Sequence, residues 1–144
     1  MKVLMAEDLT SVREHLSGLL VEARAVEVRF VGQDTAPLMQ AAAEWQPEVV
    51  ILDVRMRGTM TLGILESIKK ERPDTAVAVS AFFFEPYYRE AYLRHGADFF
   101  FDKSLEWQEL ITFLRRCEAR FLSQSANAPL SRPADDGPQR EYTA

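Results

Sequence analysis

Apolar positions along the chain follow two alternating rhythms. The short runs "KVLMAED" (2–8), "VEVRFVG" (26–32), "EVVILD" (48–53), "TAVAVSA" (75–81) and "ADFFFDK" (97–103) have the length and residue types of strands. Between them, apolar residues recur three and four apart and predict helices over 11–23, 36–45, 62–71, 86–95 and 104–122. Val12, Leu16, Leu19 and Leu20 make the stripe of the first helix, and Leu62, Leu65 and Ile68 that of the third. Punctuation agrees with the periods. Asp34 is placed to cap the second helix and Gln46-Pro47 closes it; Arg72-Pro73 ends the third, Pro86 opens the fourth and Gly96 stops it. Ser104 stands three residues before Trp107, with Glu106 and Glu109 near the start of the last helix.

Strands alternating with helices predict an α/β fold whose parallel sheet is covered on both faces, because each parallel crossover needs a helix. The unbroken run Val49, Val50, Ile51 and Leu52 is expected at the centre of that sheet. From residue 123, "SQSANAPLSRPADDGPQREYTA" is small, polar and Pro-rich, with no stripe to bury. The expectation is one domain over 1–122 and a disordered tail over 123–144.

Composition narrows the class. A hydrophobic fraction of 47% and a charged fraction of 27% are those of a soluble globular domain. No run approaches the roughly 18 apolar residues of a membrane span, and Glu7 interrupts the N-terminus before a signal peptide forms, so the expected location is cytoplasmic, with no membrane partner. The net charge of -5 argues against direct nucleic-acid binding, and the one basic cluster, Arg115, Arg116 and Arg120, is explained by a solvated helix end. Cys117 has no partner for an internal disulfide, and His15 and His95 show no ligand spacing.

The candidate chemistry sits at the carboxyl ends of the strands, where open parallel sheets bind ligands. Glu7 and Asp8 finish the first strand, Asp53 the third, Ser80 the fourth and Lys103 the fifth. Gathered carboxylates repel one another unless a cation neutralises them, and Mg2+ prefers such oxygen ligands. Asp8 and Asp53 are the expected direct ligands and the Arg55 carbonyl a further one. Glu7, one methylene longer and on the opposite side of the extended chain, is expected to act through a water. With Lys103 also drawing off charge, Asp53 is suited to attack a phosphoryl group, and the Ser80 hydroxyl to donate to a phosphoryl oxygen.

Together "MAED", "VVILDVRM", "VAVSA" and "GADFFFDKS" resemble the receiver domain of bacterial two-component response regulators, here of the stand-alone, single-domain type. The resemblance implies a flavodoxin-like, doubly wound (βα)5 sandwich with strand order 2-1-3-4-5. It implies Asp53 as phosphoacceptor from a histidine kinase or histidine phosphotransfer protein, with Mg2+ held by Glu7, Asp8, Asp53 and Arg55. It also implies slow autodephosphorylation, Ser80 and Lys103 as phosphate sensors, Phe100 at the aromatic switch position, and output to a downstream protein partner. Arg55 and Phe82 would flank the path of the attacking water, and their bulk predicts a long-lived phosphoryl group.

The chain departs from the family pattern in places: Glu7 replaces an Asp, Arg57 a common Pro, Thr61 a common Gly, Ser104 a common Pro, and Phe100 the more usual Tyr. Tyr87, Tyr88, Tyr92, Phe100 and Trp107 are expected to leave apolar area on the face of the fourth helix, fifth strand and fifth helix, a partner or homodimer surface, while Phe99 and Phe101 fill the core. A haloacid-dehalogenase-type phosphatase would need a second Asp where Arg55 stands, and a flavin protein a glycine-bearing loop in place of "AEDLTSVRE". The remaining alternative is a receiver-like interaction module that works without phosphorylation.

Overall fold

The computed structural model describes residues 1–23 and 25–126. In chain order the elements are β1 (Lys2–Ala6), α1 (Thr10–Leu19), β2 (Glu27–Val31), α2 (Thr35–Trp45), β3 (Val49–Asp53), α3 (Thr61–Glu71), β4 (Ala76–Ala81), α4 (Pro86–Arg94), β5 (Phe99–Asp102) and α5 (Trp107–Ala126). The strands form one parallel sheet in the order β2-β1-β3-β4-β5, the flavodoxin-like arrangement expected.

Strand residues alternate between faces, and two separate cores result. On one face Leu4, Val50, Leu52, Val77, Val79 and Phe100 pack against Leu38 of α2, Leu65 of α3 and Tyr92 of α4. On the other, Val3, Met5, Val49, Ile51, Ala78 and Phe101 pack against Leu16 of α1 and Leu110, Phe113 and Leu114 of α5. Every residue of β3 is buried, as its unbroken apolar run requires.

Element ends differ from expectation for local reasons. α1 stops at Leu19 because its last bonds tighten, Leu20 sharing its N–H between Leu16 and Ser17 and Val21 turning back to Gly18. α5 begins only at Trp107, because the Asp102 carboxylate takes both the Ser104 N–H and the Ser104 hydroxyl in a turn of its own. It runs on to Ala126, so residues 123–126, expected in the tail, are helical, and 127–144 lie outside the described residues. Tyr92 and Phe100, expected to leave area on the surface, are core residues, because the sheet is covered on both sides even at β5; Tyr87 and Tyr88 do stay exposed. Among the described residues no helix is long and apolar enough to cross a membrane.

Candidate functional site

Glu7, Asp53, Ser80 and Lys103 share a face of the sheet for one reason. Each lies an even number of residues beyond a strand residue of the α1/α5 core: Met5, Ile51, Ala78 and Phe101 respectively. The ladder extends past the strand ends to hold two of them, through Glu7 N–H to the Val31 carbonyl (2.7 Å) and Lys103 N–H to the Ala81 carbonyl (2.8 Å). Asp53 and Ser80 are register partners on adjacent strands.

The Lys103 ammonium bridges the two acids, donating to Asp53 Oδ2 at 2.5 Å and to Glu7 Oε1 at 2.7 Å. All three side chains are sealed from solvent, with 1% or less of their area exposed. A buried charge set of this kind persists only when each charge is paired and its remaining valences are filled. Here Asp53 Oδ1 accepts the Arg55 N–H (2.7 Å) and Glu7 Oε2 accepts the Leu9 N–H (3.0 Å). Phe82 lies over the ammonium, its ring centroid 4.8 Å from Nζ, and the Trp107 indole donates to the Lys103 carbonyl (2.6 Å). Ser80 is also buried, and its hydroxyl donates to the Leu52 carbonyl at 3.0 Å rather than to Asp53.

Asp8 has the opposite parity and turns to the other side of the rim. Its Oδ2 pairs with Arg57 Nη2 at 2.8 Å, and its Oδ1 accepts the Gln33 N–H at 3.1 Å. Gly32 makes room for it, since a Cβ there would come within 2.8 Å of Asp8 Oδ1. Arg57 also reaches Asp34 through Nε (3.0 Å) and Nη2 (3.3 Å). The guanidinium hydrogen bond, then the Gln33 N–H, hold the Asp8 carboxyl below the usual carboxylate range, and Asp34 and Asp8 push the Arg57 pKa above its ordinary value.

Of the residues expected to converge, the structure thus joins Glu7, Asp53 and Lys103, sets Ser80 beside them facing the backbone, and gives Asp8 to Arg57. Two contributors, Thr61 and Arg57, were not read from the sequence as parts of this arrangement, and Phe82, expected beside the path of water, was not read as the cover of Lys103. Thr61, buried at the start of α3, shares its hydroxyl between the Asp53 (3.0 Å) and Val54 (3.1 Å) carbonyls and pins the chain just after the acid. Arg57 pairs with Asp8, and Phe82 covers Lys103. A polar residue opening a helix behind a strand-end acid was the one available signal, for Thr61.

A family profile for the response regulator receiver domain matches residues 3–115. The chain belongs to the receiver-domain family. Among its relatives, the DNA-binding transcriptional regulator NtrC of Bradyrhizobium sp. (strain RP501 Parasponia) is 32% identical over 137 residues, 94% of this chain and 27% of that protein. The response regulator GacA of Pseudomonas aeruginosa is 27% identical over 124 residues, 85% of this chain and 58% of that protein. The chain therefore spans about a quarter to somewhat over half the length of these relatives. Its fold matches the crystal structure of the receiver domain of a LuxO repressor protein from Vibrio parahaemolyticus with a TM-score of 0.76 at 19% identity, covering 89% of this chain and 98% of that one. Brucella abortus NtrX in complex with ADP matches with a TM-score of 0.72 at 24% identity, over 87% of this chain and 29% of that one.

Receiver domains are signalling domains of two-component systems rather than classical enzymes, and they interact with histidine kinases or phosphotransfer proteins. As a family they bind Mg2+ at the acidic phosphorylation site. In this receiver the carboxylates at the rim, Glu7, Asp8 and Asp53, present only oxygen, a chemistry that fits a hard divalent ion. As arranged here, each carboxylate already holds a protein cation, and among the described residues no three acidic, His or Cys side chains gather as a ready metal cluster.

Proposed function

We propose that this receiver accepts a phosphoryl group on Asp53 from a histidine kinase or histidine phosphotransfer protein. The observation that carries the reading is the Asp53 carboxylate at the end of a fully buried strand, held by Lys103 at 2.5 Å and by the Arg55 N–H at 2.7 Å. An Asp53 oxygen attacks phosphorus, the bond from phosphorus to the donor nitrogen breaks, and the electron pair leaves with the donor. Lys103 stays paired with the new acyl phosphate and offsets its charge. Glu7, Asp8, Asp53 and the Arg55 carbonyl would hold Mg2+, which when bound supplies positive charge to the phosphoryl oxygens.

Asp53 is fully buried, so transfer requires its cover to open. The cover is loop-borne: the Arg55 side chain, its Nε 4.0 Å from Asp53 Oδ1, is 70% exposed and free to swing, and Phe82 sits in the loop after β4. The same two side chains restrict water, which would regenerate the carboxylate by attacking phosphorus and releasing inorganic phosphate. The Ser80 hydroxyl exchanges the Leu52 carbonyl for a phosphoryl oxygen. That shift disturbs β4 beside Phe100, which packs edge-on against Phe84 (4.9 Å) and under the Arg89 guanidinium (5.5 Å). The readout is the face of α4, β5 and α5, where exposed Tyr87, Tyr88 and Leu93 offer apolar area to a downstream protein or a second copy of the chain.

Incubation with Mg2+ and acetyl phosphate, followed by intact mass, tests the assignment. Wild type is expected to gain one phosphoryl group, Asp53→Asn none, and Arg55→Ala to lose its label faster than wild type. Equal labelling of Asp53→Asn, or no labelling of wild type, would overturn the proposal in favour of a phosphorylation-independent module.

A further inference from the structure

We infer that Arg57 is a built-in counter-cation that occupies Asp8 in competition with the divalent metal and passes wholly to Asp34 when the metal binds. The inference rests on the Mg2+ site that the proposed function assigns to Asp8, not on phosphoryl transfer itself. Three observations support it. First, Arg57 Nη2 covers Asp8 Oδ2 at 2.8 Å, so one lone-pair position of an expected metal ligand is already filled by a positive group. Second, the guanidinium has another acid to hold it, because Asp34 accepts from Nε and Nη2 at 3.0 and 3.3 Å. Asp34 stands at the N-cap of α2 yet makes no capping bond with its side chain, which leaves that carboxylate for Arg57. Release from Asp8 therefore does not strand a charge.

Third, the backbone at Arg57 is tied independently of its side chain. Its N–H donates to the Gln33 carbonyl (2.6 Å), its carbonyl accepts from the Thr35 N–H (2.8 Å), and Gly58 takes the left-handed turn that follows (φ 102°). The side chain can move while the β2–α2 and β3–α3 loops stay joined. The exchange is mild, because the pair is open to water at 55% and 36% exposure and its attraction is screened. A divalent ion on oxygen ligands wins against a singly charged guanidinium, at the expense of some affinity.

Calorimetric titration of the full chain with Mg2+ tests this, using wild type, Arg57→Gln and Arg57→Lys. Arg57→Gln is expected to bind about threefold more tightly, the scale of one exposed ion pair, and Arg57→Lys to stay near wild type. In NMR spectra the Arg57 Nε–H signal of wild type is expected to shift on adding Mg2+ and to remain hydrogen-bonded. Unchanged or weaker binding by Arg57→Gln overturns the role of Arg57 while leaving the phosphoacceptor reading intact. Absence of Mg2+ binding in all three proteins overturns both. Tighter binding by Arg57→Gln in a protein that acetyl phosphate does not label supports the exchange and removes the phosphoacceptor reading alone.

Discussion

The rim carries two acid–cation assemblies that differ in almost nothing but water. In the inner one Lys103 bridges Glu7 and Asp53 with all three side chains sealed; in the outer one Arg57 bridges Asp8 and Asp34 with more than a third of each side chain exposed. Each is two carboxylates around one cation. The inner set has lost its hydration, so removing one member leaves uncompensated charge in a poor solvent. The outer set keeps its hydration, and its members exchange partners cheaply. The same rim thus holds its nucleophile rigidly and its metal-facing acid loosely.

The comparison breaks most visibly at the inner cation. Lys103→Met leaves Glu7 and Asp53 buried without the cation they share and is expected to cost roughly 3 kcal/mol in urea unfolding. A loss near zero would mean that the seal is leaky and the two assemblies alike. Thr61→Val keeps the shape beneath Asp53 but removes the hydroxyl shared by two carbonyls, an expected loss of about 1 kcal/mol in the same measurement.

The outer set sharpens the contrast. Besides its effect on Mg2+ binding, Arg57→Gln is expected to shift the urea midpoint far less than either inner variant, because the pair is exposed and screened, and to move a titration. Arg57 holds the Asp8 carboxyl low in the folded protein, so the pair's contribution is complete above the unfolded carboxylate value, about 3.9, and is lost as pH falls through the lower folded value. Without Arg57, the Asp8 carboxyl carbon in NMR spectra should titrate at higher pH. An unmoved curve would show that the pair does not persist in solution.

Much of this was legible in the chain. The two periods located every element of the (βα)5 fold, and the unbroken run before Asp53 marked the central strand, because a strand covered on both faces has no polar side to show. The same property hid the rim's pairing. With both faces of β1 apolar, nothing local told which of Glu7 and Asp8 shares the side of Asp53, and the pleat gives that place to Glu7. Glu7 and Lys103 are 96 residues apart, and no local rule reaches that far. Asp34 was read correctly as standing at a helix start, but its carboxylate answers to Arg57, a tertiary partner that outcompetes the cap. Phe100 and Tyr92 are expected at the surface because neighbouring strand residues face opposite sides and Phe99 and Phe101 take the core side, whereas the opposite side of β5 is also a core, closed by α4.

The indole of Trp107, bonded to the Lys103 carbonyl and edge-on to Phe101, gives the inner assembly a native optical reporter. The other tryptophan, Trp45, lies where the strands begin, beneath the Arg29 guanidinium at 4.4 Å and with its carbonyl held by Lys2. Emission from a chain carrying Trp45→Phe would therefore follow the lysine's loop in real time, with no dye attached.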